Sequence, residues 1–337
     1  MFTSGWHHRR MSTNTVRIGV LGAARIAPTA LIAPARDNTE AEVVAVAARD
    51  RGRAATYAGK HGIPKVHGSY DELLADPDID AVYNPLPNAL HAEWTLAALA
   101  AGKHVLCEKP FTSNASEATT VAEAADASGL VVMEAFHYRY HPLARRIAEI
   151  LASGEIGTLK HVQAALCFPL PKFSDIRYNR DLAGGAMMDA GCYALHMTRL
   201  LGGGEPEVVS AKAKLHKPDV DRAMTASLVF PGGHTGSVTA SLWSADILKI
   251  AASAVGDKGR IDVFNFVAPQ AYHRLAVRTA NGKRVERLSK RPSYSYQLDA
   301  FCDAVLRGRS VLTPPSDSVR NMTVIDEIYR KAGLSPR

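Results

Sequence analysis

The sequence predicts an α/β chain in two parts, a doubly wound parallel sheet followed by an α+β part built on a large, mostly antiparallel sheet. Three observations predict it. Short apolar runs alternate with helix-compatible stretches over residues 16–133, the order that right-handed crossovers turn into a parallel sheet. The first run leads straight into a turn of small residues, Gly22-Ala23-Ala24-Arg25-Ile26-Ala27. Beyond residue 160 the pattern changes to β-type runs broken by hairpin signals such as Pro231-Gly232-Gly233 and Asn281-Gly282. The length of 337 residues suits two domains at about 150 residues each.

Residues 1–15 are polar and contain His7-His8-Arg9-Arg10, with no apolar stretch of a signal peptide; they read as a disordered arm. Strands are expected at 16–21 (V-R-I-G-V-L), 43–48 (V-V-A-V-A-A), 81–83, 104–107 and 130–133. Helices are expected at 51–61, closed by Gly62, at 70–75, at 91–101, closed by Gly102, and at 115–128, closed by Gly129. In the second part, strands are expected at 161–168, 208–215, 225–230, 235–242, 249–255, 260–263, 275–279 and 284–288. The domains implied are 16–135 and 136–337.

Composition excludes several classes. Hydrophobic residues make up 47% and charged residues 22%, so long disorder and coiled coil are disfavoured. No apolar run approaches the ~20 residues of a membrane span. Cys107, Cys167, Cys192 and Cys302 lack CxxC spacing, so neither a disulfide framework nor a metal site is signalled and a reduced, cytoplasmic setting is expected. The net charge of +7 invites a nucleic-acid reading, but the densest basic cluster, 283–291, is the surface of an edge hairpin and no reader motif accompanies it.

The Gly22 turn is a modified phosphate-binding turn, Gly22-x-Ala24-x-x-Ala27 in place of G-x-G-x-x-G. Ala27 only has to let helix and strand pack closely, whereas the Ala24 methyl keeps a pyrophosphate slightly farther from the backbone. Strand, turn, helix and second strand together make a Rossmann dinucleotide site the expected outcome. The second strand ends in Ala47-Ala48-Arg49-Asp50. Ala48 occupies the place of the acid that holds a ribose 2′-hydroxyl, and Arg49 suits a 2′-phosphate, which favours NADP. The alternative is that Asp50 takes the ribose, giving NAD.

Glu108-Lys109-Pro110 follows a strand at the carboxyl end of the sheet, where such sheets bind ligands. The segment 184–193 (G-G-A-M-M-D-A-G-C-Y) begins a helix on which Asp189 and Tyr193 share a face, with His196 three residues further on. With Pro87-Asn88-Ala89-Leu90-His91 and Ala101-Gly102-Lys103-His104-Val105, these motifs resemble the glucose–fructose oxidoreductase / inositol dehydrogenase / rhizopine-catabolism (Gfo/Idh/MocA) family, in its dihydrodiol- and xylose-dehydrogenase-like branch. The resemblance covers nearly the whole chain from Val16. It implies an NAD(P)-dependent oxidoreductase acting on a sugar, keto-sugar or vicinal diol, without a metal, and a homodimer or homotetramer formed through the C-terminal sheet. It assigns Gly22, Ala24, Arg25, Ile26, Arg49, Pro85, Asn88, His91, Glu108 and Lys109 to the cofactor.

Lys109 is implied beside the nicotinamide and the substrate carbonyl. The position four after Asp189 is His in inositol-dehydrogenase-like members and Tyr in the other branch; here it is Tyr193. Tyr193 is therefore expected to move the proton while Lys109 lowers its pKa. Asp189 and His196 orient the site, or are a helix-start acid and a packed histidine. Arg139, and Arg177 or Tyr178, are the expected substrate contacts. The other readings to weigh are a sugar-converting member with retained cofactor, glycosidase-like or transhydrogenase-like, and a catalytically silent NADP sensor.

Overall fold

The computed structural model describes residues 14–337, and in it the chain builds two sheets. The first has six strands in the order β3-β2-β1-β4-β5-β6, all parallel. They are β1 Val16–Leu21, β2 Ala41–Ala47, β3 Lys65–His67, β4 Ala81–Asn84, β5 His104–Cys107 and β6 Val132–Glu134. Between them run a π-helical turn Pro28–Ile32 continuing into α1 Ala33–Arg36, then α2 Arg51–His61, α3 Tyr70–Ala75, α4 His91–Ala100 and α5 Ala115–Ser128. Local chemistry explains the boundaries. Asp50, Ser69 and Asn114 accept a backbone N–H at the starts of α2, α3 and α5, and Gly62 and Gly129 end α2 and α5 at φ +72° and +64°. The chain winds outward from β1 to β3 and returns to β4 beside β1, so the switch point opens a crevice at the carboxyl ends of β1 and β4. β3, three half-buried residues at the sheet edge without an apolar run, has no counterpart among the expected strands.

The second sheet has eight strands in the order β14-β13-β12-β11-β7-β10-β9-β8, antiparallel except for β7 beside β10. They are β7 Leu159–Cys167, β8 Glu207–Lys217, β9 Val220–Val229, β10 Thr235–Ser241, β11 Lys249–Gly256, β12 Gly259–Phe264, β13 Arg274–Thr279 and β14 Gly282–Glu286. Register sets the two faces. Val238, Ala164, Ala252, Val263 and Leu275 form one buried row, over which α7 Cys192–Gly202 lies. The next row, Ser237, Gln163, Ser253 and Asp262, is polar. Only the first part of the basic cluster at 283–291 is on the edge hairpin, where Arg284 pairs with Glu155 and Glu286, and Glu286 with Arg146; Arg287, Lys290 and Arg291 follow β14 in the segment before the next helix. α6 Pro142–Ala152 follows the first sheet; α8 Ser293–Arg307 and α9 Pro315–Lys331 return to it. α8 buries Leu298, Phe301 and Cys302 with Val16 and Ile18 of β1, and α9 packs on α5. Among the described residues no helix is long and apolar enough to cross a membrane.

Five histidines are held neutral by burial. His91, His104, His141 and His196 are pushed down to about 4 and His137 to about 3. In the unfolded chain these rings take up protons near pH 6.5, so between pH 6.5 and 4 the unfolded state binds more protons than the folded one. Stability is therefore expected to fall as pH drops through this window, by up to about 1.4 kcal/mol per pH unit for each ring. Urea midpoints measured from pH 7 to pH 4.5 check this; a flat profile contradicts it.

Candidate active site

The crevice begins at the Gly22 turn. Gly22 has φ +86°, its N–H donates to the Ala47 carbonyl at 2.7 Å, and a Cβ there would press on Leu86 Cδ2 at 3.0 Å. The helical turn beginning at Pro28 has no side-chain cap, and its first N–H groups are already taken, Thr29 and Ala30 both donating to the Ile26 carbonyl at 3.0 and 2.9 Å. Ala24 and Ala23 are fixed through their carbonyls, which accept from Tyr57 Oη at 3.0 Å and Arg53 Nη2 at 3.1 Å. At the tip of β2, Arg49 is exposed, while Asp50 is engaged as the cap of α2, accepting the Arg53 N–H at 2.6 Å. Two arginines, Arg49 and Arg53, thus stand at the place where an NAD site would present a free acid.

Across the crevice, Lys109 leaves the end of β5 and meets the segment 184–193. Its ammonium donates to the Asp189 carbonyl at 3.1 Å and to Asp189 Oδ1 at 3.3 Å, and lies 5.0 Å from the centre of the Tyr193 ring. Arg177 Nε pairs with the other Asp189 oxygen at 3.0 Å. Burial works to lower the Lys109 ammonium, but the Asp189 carboxylate with Cys192 and Glu108 together outweigh it and hold it above its ordinary value. Burial likewise raises Asp189, and Lys109 and Arg177 outweigh that and hold it low. Burial pushes the Tyr193 phenol well above its ordinary value, and the neighbouring Tyr294 and Glu108 add to this. The expectation that Lys109 lowers the Tyr193 pKa is therefore corrected: the ammonium sits over the ring face and gives its hydrogen bonds to Asp189.

The segment that carries Asp189 is held from below. It starts as a π-helical turn, Met187–Gly191, before α7. Met187 N–H donates to Asp221 Oδ2 at 2.7 Å, and Asp221 Oδ1 accepts from Tyr329 Oη at 3.0 Å and Arg337 Nη2 at 2.6 Å. Asp221 and Arg337 are fully buried. Gly184 and Gly185 are required here. A Cβ at Gly184 would stand 2.7 Å from the Arg177 and Asn179 carbonyls, and one at Gly185 would collide with Asp221 Oδ1.

The family model for Gfo/Idh/MocA oxidoreductases with an NAD-binding Rossmann fold matches residues 16–136, and the Gfo/Idh/MocA C-terminal domain model matches 144–262. The D-xylose 1-dehydrogenase (NADP(+)) 2 of Haloferax volcanii is 39% identical over 318 residues, covering 93% of this chain and 96% of the relative. The chain belongs to the Gfo/Idh/MocA family. The trans-1,2-dihydrobenzene-1,2-diol dehydrogenase of Bos taurus is 40% identical over 310 residues, 88% of this chain and 91% of its own. A solved 3-ketoreductase from Actinomadura kijaniata, in complex with NADP and TDP-benzene, superposes with a TM-score of 0.86 at 32% identity, covering 94% and 98% of the two chains.

Within this Gfo/Idh/MocA fold the expected site residues divide. Gly22, Ala24, Ile26, Arg49 and Pro85 lie at the carboxyl ends of the central strands. Arg25, largely exposed, reaches Asp175 at 3.5 Å, and Asn88 Nδ2 donates to the Ala183 carbonyl at 3.0 Å, so both join the two sides of the crevice. Glu108 is buried and accepts from Tyr83 Oη at 2.6 Å, with burial pushing its carboxyl up. His91 is fully buried, its ring nitrogens 2.7 Å and 2.8 Å from the Pro110 and Leu86 carbonyls; it clamps two loops and has no surface for a ligand.

His196 is likewise buried, between Tyr138 Oη at 2.6 Å and Asp317 Oδ2 at 2.9 Å, and stacked on Phe136, which meets Tyr193 edge-on. It positions the aromatic wall and does not reach the crevice. Of Arg177 and Tyr178, the structure leaves Arg177 partly exposed and buries Tyr178, whose hydroxyl donates to the Leu170 carbonyl at 2.8 Å. Arg139 makes no ion pair among the described residues and acts electrostatically on Tyr138, Tyr140 and His196. No cluster of three metal-ligating side chains occurs among the described residues. Sequence reasoning missed Arg53, His137 and Tyr294; His137 lies 5.8 Å from Tyr193 and 4.0 Å from Tyr294, ring to ring.

Proposed function

We propose that the chain is an NADP(H)-dependent oxidoreductase acting between a carbinol and a carbonyl carbon of a sugar, keto-sugar or vicinal diol. The observation that carries this is the meeting of Lys109, Asp189 and Tyr193 in the crevice that the Gly22 turn opens. In this reading residues 16–135 hold the cofactor and residues 136–337 the substrate. The residues present fit the cofactor: the Gly22 turn suits a pyrophosphate, and Arg49 and Arg53 suit a 2′-phosphate. The NADP named for the xylose dehydrogenase and the ketoreductase relatives supports the same choice.

Bound NADP(H) supplies the carrier of the hydride. The chain supplies the proton and the field. The Tyr193 phenol, kept protonated by burial, donates to the substrate oxygen in the reductive direction. The Lys109 ammonium, oriented by both the carbonyl and the carboxylate of Asp189, places positive charge where that oxygen becomes negative. Arg177 fixes the second Asp189 oxygen, so the carboxylate cannot swing into the crevice. The oxidative direction is the reverse and needs Tyr193 to enter as the phenolate to take the proton back, a form that its burial disfavours.

Replacing Arg49 and Arg53 together by serine is expected to weaken NADP about 10²-fold, the loss of two charge-assisted contacts, and to leave NAD within about threefold. Titrating NADPH and NADH against protein fluorescence measures this. Equal affinity of the unaltered chain for both cofactors contradicts the assignment.

A further inference from the structure

His137 opens the short turn His137–Tyr140 that follows β6, and its ring stands beside the reaction site, 5.8 Å from the Tyr193 ring and 4.0 Å from that of Tyr294. Two hydrogen bonds in series fix where its proton is. Gln270 Oε1, which can only accept, takes the hydroxyl proton of Ser293 at 3.1 Å. Ser293 Oγ then has no proton left to give, so it accepts from His137 Nδ1–H at 2.8 Å. Burial keeps the ring neutral, so this is its one proton, and Nε2 is left as a bare lone pair. Nε2 has no hydrogen-bond partner among the described residues and, although His137 is only 2% exposed, it is not sealed off from open space. Ser293 occupies the Nδ1 side and Tyr294 one face, so the open side is the one towards Tyr193 and Lys109, whose ammonium acts electrostatically on the ring. The other groups of the site present donors, Lys109, Arg177 and the protonated Tyr193, and both Asp189 oxygens are already engaged. His137 Nε2 thus brings an unclaimed acceptor to a site of donors.

We infer that His137 Nε2 accepts a hydrogen bond from a second hydroxyl of the substrate, on the carbon next to the reacting one, and so selects vicinal hydroxy compounds over simple alcohols and deoxy-sugars. The 5.8 Å between the His137 and Tyr193 ring centres suits two oxygens on neighbouring carbons, one for each ring. A site built to pair a substrate hydroxyl rejects the analogue that lacks it, because its own polar atom is then left without a partner. Ser293 and Gln270 are positioning residues, acting only through the tautomer of His137. The inference rests on the oxidoreductase reading for which carbon reacts, but the free acceptor does not.

Two measurements on the NADP-saturated protein test it, with two probe pairs that differ by one hydroxyl: D-glucose against 2-deoxy-D-glucose, and trans-cyclohexane-1,2-diol against cyclohexanol. The first is nitrogen NMR of isotope-labelled histidines, the His137 signals being assigned by their loss in His137→Gln. Nδ1 is expected to be protonated and Nε2 bare, and the Nε2 signal to move with a hydroxylated probe and not with its deoxy partner. The second is kcat/KM within each pair. The hydroxylated member is expected to be favoured about tenfold, a ratio that falls to within about threefold of unity in His137→Phe and is kept in His137→Gln, whose amide restores an acceptor. A merely structural effect of the substitution lowers both members alike and leaves the ratio unmoved. A protonated Nε2, an Nε2 signal that neither hydroxylated probe moves, or a ratio unchanged in His137→Phe overturns the inference; the first two are read on the unaltered chain. The two readings fail separately. Turnover of hydroxylated and deoxy probes alike removes the role of His137 and keeps the oxidoreductase. An Nε2 signal moved by the hydroxylated probes alone, with none of them oxidised, keeps the acceptor and counts against the oxidoreductase.

Discussion

Lys109→Met is expected to lower kcat by about 10²–10⁴-fold while the dissociation constant of NADP changes by no more than about threefold. The substitution keeps the length of the side chain and removes only its charge. Asp189 retains Arg177 at 3.0 Å, so the segment carrying it stays in place and the effect reports on chemistry more than on folding. Because Lys109 donates to both the carbonyl and the carboxylate of Asp189, the ammonium is preorganised, which is the condition for stabilising charge as it develops on an oxygen. Initial-rate kinetics with cofactor titrations separate the two constants. An unchanged kcat would show that the Lys109–Asp189 pair only braces the fold.

Asp221→Ala is expected to destabilise the protein by about 3–5 kcal/mol, because Arg337 would then be a buried guanidinium with no counter-charge. The same change deprives the Met187 N–H and the Tyr329 hydroxyl of their acceptor. Since Met187 opens the turn that carries Asp189, activity at a temperature where the variant is still folded is expected to fall as well. Urea unfolding followed by fluorescence gives the first quantity. A loss below about 1 kcal/mol would place the pair in the class of ion pairs whose desolvation cancels their attraction.

Much of the fold is legible in the sequence because one period dominates each part. The parallel strands are short apolar runs, and the capping residues Asp50, Ser69 and Asn114 stand directly before their helices. β3 escapes because an edge strand of three half-buried residues needs no apolar run. In the site, the pairing of Lys109 with the Asp189–Tyr193 segment is reached through the motifs, but its electrostatics are not. Nothing in the sequence shows that the Asp189 carboxylate takes up the charge of Lys109, so the Tyr193 pKa is read in the wrong direction. Tyr178 and Arg177 are adjacent in a single tight turn that sends one side chain inward and the other to Asp189. Arg53 looks like a surface charge of α2 until its guanidinium is seen at the Ala23 carbonyl. Tyr294 comes from the first turn of α8, about a hundred residues beyond Tyr193, and only the folded chain brings the two together.

The central claim, hydride transfer with NADP to or from a sugar or diol, is tested most directly by one assay: nicotinamide absorbance followed with aldoses, keto-sugars, inositols and dihydrodiols, each with NADP and with NAD. The account predicts turnover of an aldose, keto-sugar or dihydrodiol with NADP, lost in Tyr193→Phe. Turnover with NAD alone, a preference for inositol, or full activity in Tyr193→Phe would contradict it.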